Sequence, residues 1–176
     1  MEETVLHKEE VFQGRVINLS VLDVRLPDGT QSKRELVKHP GAVAMVALDD
    51  SNHALLVRQY RIAAQRVMLE IPAGTLRANE PPLKCAEREL QEETGYRPGK
   101  LEAIGGMFVA PGYTTEFIHL YLATDLHESR LKMDDDEFIE VERVPLAEAM
   151  AMITRGDLID GKTIAGLMIV ARRLGI

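Results

Sequence analysis

Residues Gly74 to Tyr96 read GTLRANEPPLKCAERELQEETGY, with fixed residue types at the spacing G-x5-E-x7-R-E-(apolar)-x-E-E-x-G-(apolar). No other segment restricts the fold so strongly. Pro81-Pro82 fits only the first turn of a helix, and Thr94-Gly95 supplies a C-terminal stop. A helix over about Pro82 to Glu93 is therefore predicted. With this chain's composition, chance fills all the fixed places at about 10⁻⁸ per starting position.

The helix carries chemistry as well as shape. At about 100° per residue, Leu83, Ala86 and Leu90 form a narrow apolar stripe expected to pack on a sheet. Glu89 and Glu93 are an i, i+4 pair beside that stripe, with Glu92 further round. Like charges so placed repel by about a few tenths of a kcal/mol per pair. A bound divalent cation reverses that sign, because carboxylate oxygens are the ligands hard cations prefer. Arg88 lies on the other side of the helix, where it is better placed to orient a glutamate than to bind metal. A solvated acidic helix with Arg–Glu pairs accounts for any single glutamate, but not for the whole constellation between two glycines. Cys85, the only cysteine, excludes an internal disulfide and reads as a small packed side chain.

Upstream, Val11 to Leu26 alternates loosely and ends at the turn signal Pro27-Asp28-Gly29-Thr30. Ser32 to His39 resumes as a strand, so residues 1–39 are expected to form a small antiparallel sheet. Gly41 to Leu48 is almost wholly apolar and reads as a buried strand. His53 to Tyr60 returns from the turn at Asp49-Asp50-Ser51-Asn52, and Val67 to Ile71 leads into Pro72-Ala73-Gly74. Beyond the helix, strands are expected at Leu101 to Val109, Glu116 to Thr124 and Phe138 to Val144, with an acidic loop at Leu131 to Glu137. Pro145 to Thr154 and Thr163 to Leu174 read as closing helices punctuated by Gly156 and Gly161. The pattern is a mixed α/β domain with helices covering a short-stranded sheet.

The chain's 176 residues and net charge of −7 exclude the electrostatic footprint of nonspecific nucleic-acid binding. An anionic substrate would need local arginines or metal ions to offset that charge. Met1 to Glu10 is charged and has no apolar core, so no secretory leader is expected, and no run approaches a membrane span. The expectation is a cytoplasmic protein without nucleic-acid or membrane partners.

The Gly74–Tyr96 segment resembles the Nudix box, the signature of hydrolases acting on nucleoside diphosphates linked to another moiety. The resemblance implies an α/β/α sandwich with a mixed sheet. It also implies Mg²⁺, or Mn²⁺ in its place, bound by Glu89 and Glu93, with Glu92 as ligand or neighbour and Arg88 as orienter. Glu80 would stabilise the loop–helix fold. Outside the box, Glu70-Ile71-Pro72-Ala73-Gly74 is similar to the run preceding it in ADP-ribose pyrophosphatases, where the alanine carbonyl also meets a metal. Val57-Arg58-Gln59-Tyr60-Arg61 resembles their substrate strand. Pro111 falls at that subfamily's marker proline, and Glu116 would reach a ribose hydroxyl. Asp134-Asp135-Asp136-Glu137 is similar to their acidic loop, which makes Glu137 a metal ligand and Asp135 its partner in accepting a proton; by itself it reads equally as an exposed loop of like charges.

The resemblance implies hydrolysis of ADP-ribose to AMP and ribose 5-phosphate, with Glu70, Arg61, Arg34 and Arg58 set towards the anionic substrate. The alternatives are another nucleotide-sugar or NADH as substrate, or a nucleotide-sensing regulator without hydrolysis. The sheet of residues 1–39 is expected to exchange contacts in a homodimer, since Val11 to Leu36 is too small to bury its own apolar face. Residues 40–176 would form the hydrolase domain.

Overall fold

In the computed structural model, which describes residues 1–132 and 138–176, the polypeptide forms ten strands and three helices among the described residues. In chain order the strands are β1 (Thr4–Gln13), β2 (Asn18–Arg25), β3 (Gln31–Lys38), β4 (Ala42–Ala47), β5 (His53–Arg61), β6 (Arg66–Glu70), β7 (Ala73–Thr75), β8 (Tyr96–Phe108), β9 (Phe117–Glu128) and β10 (Glu140–Pro145). The helices are α1 (Pro82–Thr94), α2 (Leu146–Arg155) and α3 (Gly161–Leu174). Two units separate: Met1–Gly41 with Phe108–Phe117, and Ala42–Met107 with Ile118–Ile176.

The first unit holds the antiparallel sheet β1-β2-β3. The expected single strand over Val11 to Leu26 is in fact parts of two, β1 and β2. The chain reverses through Gly14–Ile17, where the Gly14 N–H donates to the Ile17 carbonyl at 2.9 Å. That reversal carries no proline or Asn-Gly signal, only the lone Gly14, which is a weak mark of a turn. Phe108 and Phe117, at the two ends of the returning segment, meet edge-to-face with centroids 5.1 Å apart.

The second unit is the mixed α/β core, with sheets β10-β5-β6 and β7-β4-β9-β8. β4 pairs in parallel with β9, from Ala42↔Ile118 to Ala47↔Ala123. All six residues of β4 are buried, as expected of a strand covered on both faces. Its alternation divides the interior. Val43, Met45 and Ala47 join Leu55, Tyr121 and the α1 residues Cys85, Ala86 and Leu90. Ala42, Ala44 and Val46 join Leu56, Leu120 and Leu146, Leu167 and Val170 of α2 and α3. The layers are thus α1, sheet, then α2 with α3: an α/β/α sandwich.

α1 begins with Pro81 in extended backbone at the N-cap, and Gly95 ends it at φ 79°, a left-handed conformation that glycine adopts without penalty. One expectation needs correction: Leu83 is exposed, and the stripe runs through Cys85, Ala86 and Leu90. Glu89 and Glu93 are buried on the same face, which turns it toward the carboxylates and leaves Leu83 on the rim. Sequence reading also missed β7, three residues with no periodicity, and started β8 five residues late.

Leu90 is fully buried, so Leu90→Ala should cost about 2–5 kcal/mol through lost burial and the cavity left behind. Equilibrium urea unfolding with an unchanged m-value checks it.

Candidate active site

The box glutamates gather where α1 faces β7. Arg88 is their hub: Nε and Nη2 donate to the two Glu80 oxygens, each at 2.9 Å, and Nη1 donates to Glu89 at 2.6 Å and Glu92 at 2.7 Å. Glu80 also accepts from the Arg77 N–H at 3.1 Å, closing the loop ahead of the helix. Held by that guanidinium against a smaller burial effect, the Glu80 carboxyl is lowered from 4.5 to about 2. Its hydrogen bonds to Glu80, followed by the charge of Glu89 and the hydrogen bonds to Glu92 and Glu89, push the Arg88 guanidinium up against the effect of burial.

Glu93 is reached from the sheet side, where its Oε2 accepts from the Ala73 N–H at 2.9 Å. Glu89 and Glu93 are 9% and 3% exposed. Glu89 lies so close to Gly74 that a Cβ there would stand 1.9 Å from the Glu89 Cδ. Only glycine leaves this space to a carboxylate, which is the physical reason for the first fixed place of the box. Cys85 packs beneath, its thiol pushed up to about 12, first by burial and then by the Glu89 charge, so it supplies no thiolate.

Glu70, 1% exposed, ends β6. Arg61 grips it through Nε at 2.8 Å and Nη2 at 2.7 Å, and Lys162 Nζ donates to the same carboxylate. Burial by itself would raise the Glu70 pKa, but Arg61 and Lys162 together hold it below the ordinary range. Arg58 pairs instead with Glu142 across β5 and β10, 2.6 Å from its Nε.

The remaining sequence candidates lie elsewhere. In the first unit, Arg34 pairs with Glu3 at 2.6 Å. Pro111 lies in the turn where the Tyr113 and Thr114 amides donate to the Ala110 carbonyl, and Glu116 is half-buried, 3.8 Å from the His39 Nδ1. Asp135 and Glu137 lie outside the described residues. Sequence reading missed Lys162 and Thr163, which meet Glu70 and Ile71, and Asp160, which accepts from both of them. The available signal was an aspartate three places before a threonine at a helix start, an N-cap pattern.

Among the described residues, no three His, Cys, Asp or Glu side chains converge on a point that could hold an ion, and Glu89 and Glu92 are each held by Arg88. The donor chemistry nevertheless fits a hard divalent cation. Buried carboxylates and the Ala73 backbone offer oxygen without sulfur or imidazole, and the missing Gly74 Cβ opens the space beside Glu89.

Comparison with known proteins agrees with this geometry. Residues 38–167 match the NUDIX domain. The chain belongs to the Nudix family. It is 44% identical over 165 residues to an ADP-ribose pyrophosphatase of Bacillus subtilis (strain 168), covering 93% of this chain and 89% of that protein. It is 42% identical, with the same coverages, to a methanol dehydrogenase activator of Bacillus methanolicus. A crystal structure of an ADP compounds hydrolase superposes with TM-score 0.89 at 25% identity, covering 99% of this chain and 95% of the other. The fold and the family are those expected from the box, and the chain is a Nudix hydrolase.

Acid should expose the Glu80–Arg88 contact. A carboxyl whose pKa is lowered on folding stabilises the fold above its ordinary value of 4.5, and that contribution disappears as pH falls through about 2. Glu80→Gln should therefore flatten the loss of stability over that window, as read by unfolding at a series of pH values.

Proposed function

We propose that this Nudix hydrolase cleaves the pyrophosphate of ADP-ribose, adding water to give AMP and ribose 5-phosphate. The observation that carries the reading is the buried Glu89–Glu93 pair on one helix face, Glu89 against Gly74 and Glu93 on the Ala73 amide. The ADP-ribose pyrophosphatase likeness over 93% of the chain and the Glu70-to-Gly74 run favour ADP-ribose among nucleoside diphosphate derivatives.

Glu89 and Glu93, with Glu92 beside them and the Ala73 carbonyl, would hold Mg²⁺, for which Mn²⁺ could substitute. When bound, that cation neutralises pyrophosphate charge and lowers the pKa of the attacking water. Arg88 holds one oxygen of Glu89 and one of Glu92 and would so orient both carboxylates as ligands. Glu137 would be a further metal ligand, and a loop carboxylate beside it, with Asp135 as the candidate, would accept the proton that water loses as it attacks phosphorus and the P–O–P bond breaks. Arg61, bound to Glu70 and 41% exposed at its side chain, faces the phosphates in this reading, with Arg58, Arg34, Pro111 and Glu116 as further substrate contacts.

The enzyme would work in the cytoplasm as a homodimer. Edge strand β1 leaves Val5, Leu6, Val11 and Phe12 exposed, an apolar surface that a second copy would cover. No helix among the described residues is long and apolar enough to cross a membrane. A monomeric mass by light scattering would remove the dimer.

Purified protein with Mg²⁺ should release AMP from ADP-ribose faster than it cleaves ADP-glucose, GDP-mannose or NADH under one condition. Glu93→Gln should lower turnover by about two orders of magnitude or more, the scale of losing a positioned charge in an active site. Undiminished turnover in that variant would sink the ligand assignment.

A further inference from the structure

The segment from Glu70 to Ala73, which joins β6 to β7, is held from α3, a helix outside the box. Asp160 caps α3, and its Oδ2 accepts from the Thr163 N–H at 2.9 Å and the Thr163 hydroxyl at 2.5 Å. With its proton committed to Asp160, the Thr163 Oγ1 accepts the Ile71 N–H at 2.9 Å. The Pro72 carbonyl next accepts from the Met45 N–H at 2.9 Å, and the Ala73 N–H then donates to Glu93. Three successive residues are thus tied to α3, β4 and α1.

Lys162 is a second arm of the same grip. Its Nζ donates to Asp160 at 3.0 Å and to Glu70, so two carboxylates, Glu70 and Asp160, are balanced by two cations, Arg61 and Lys162. Thr163 and Glu70 are 0% and 1% exposed, where a hydrogen bond lost is not replaced by water. α3 also lies close behind the segment, since a Cβ on Gly166 would come within 3.1 Å of the Ile71 Cδ1. Any shift of α3 is therefore felt at Ile71, two residues from the amide that holds Glu93.

We propose that Thr163 and Lys162 are positioning residues of this enzyme: they fix the Glu70–Ala73 backbone to α3 and, through the Ala73 amide, aim the carboxylate of Glu93. The proposal rests on the reading of Glu93 as a metal ligand. Valine has the shape of threonine but can neither donate to Asp160 nor accept from Ile71, whereas serine can do both.

Two measurements on the substrate-free protein test it. In Thr163→Val, hydrogen exchange at the Ile71 and Ala73 amides should quicken about tenfold or more, with β9 reference amides unchanged. Mn²⁺ binding, followed by electron paramagnetic resonance, should weaken about tenfold, the loss typical of groups that orient a metal ligand. Thr163→Ser should match the wild type within about twofold in both, and Lys162→Met should quicken the same two amides. A folded Thr163→Val protein with wild-type exchange at Ile71 and Ala73, or a Thr163→Ser protein with quickened exchange, overturns the proposal. If Thr163→Val fails to fold, Thr163→Ser and Lys162→Met decide by the same amides. A wild-type protein that binds no Mn²⁺ or leaves ADP-ribose intact overturns the functional reading instead, and the exchange data still judge the clamp.

Discussion

Arg88 donates to three carboxylates at once, Glu80, Glu89 and Glu92, and the site cannot be assembled without something in that position. Packing glutamates side by side on a helix is unfavourable, and burying them makes it more so, since each charge loses its water. A guanidinium is suited to the task because its donors fan out in a plane and it stays charged. One positive charge against three negative leaves 1 − 3 = −2, so the cluster is held together while staying attractive to cations. Arg77 adds only a 3.8 Å approach to Glu92. An acidic protein can therefore serve an anionic substrate by concentrating negative charge where a metal is wanted.

The sequence was informative where local rules decide structure. The double proline, the Thr94-Gly95 stop and the carboxylate spacing located α1, because each acts within a turn or two of helix. The all-apolar run of β4 announced burial on both faces. The direction of α1 was less legible: simple hydrophobicity put Leu83 in the packed stripe, whereas Glu89 and Glu93 occupy that face and Leu83 does not. Periodicity cannot anticipate buried charge, because what permits it lies far along the chain: Gly74 is 15 residues before Glu89, and Ala73 is 20 before Glu93. The same limit hid Lys162, whose partner Glu70 is 92 positions distant.

Arg61 illustrates how a residue's type can be read while its setting cannot. As a basic residue near a phosphate-cleaving motif it reads as a substrate clamp. In the fold its Nε and Nη2 are engaged by a carboxylate that is itself almost inaccessible. A pair with one member so buried is hard to separate, unlike the exposed contacts of Arg34 with Glu3 and Arg58 with Glu142, which are worth about 0–1 kcal/mol. The three arginines thus differ in how freely they could turn to a ligand, and Arg61 would meet one as a fixed, preoriented charge.

β4 has a consequence for the way the second unit comes apart. Its odd residues, Val43, Met45 and Ala47, belong to the interior beneath α1, while Ala42, Ala44 and Val46 belong to that beneath α2 and α3. One strand is therefore a shared wall. Displacing it to open either interior strips the other of its lining, so neither layer has a partly unfolded form that spares its neighbour. Melting of this unit is then a single cooperative event, and the carboxylate face of α1 disappears together with the helix that clamps it from behind.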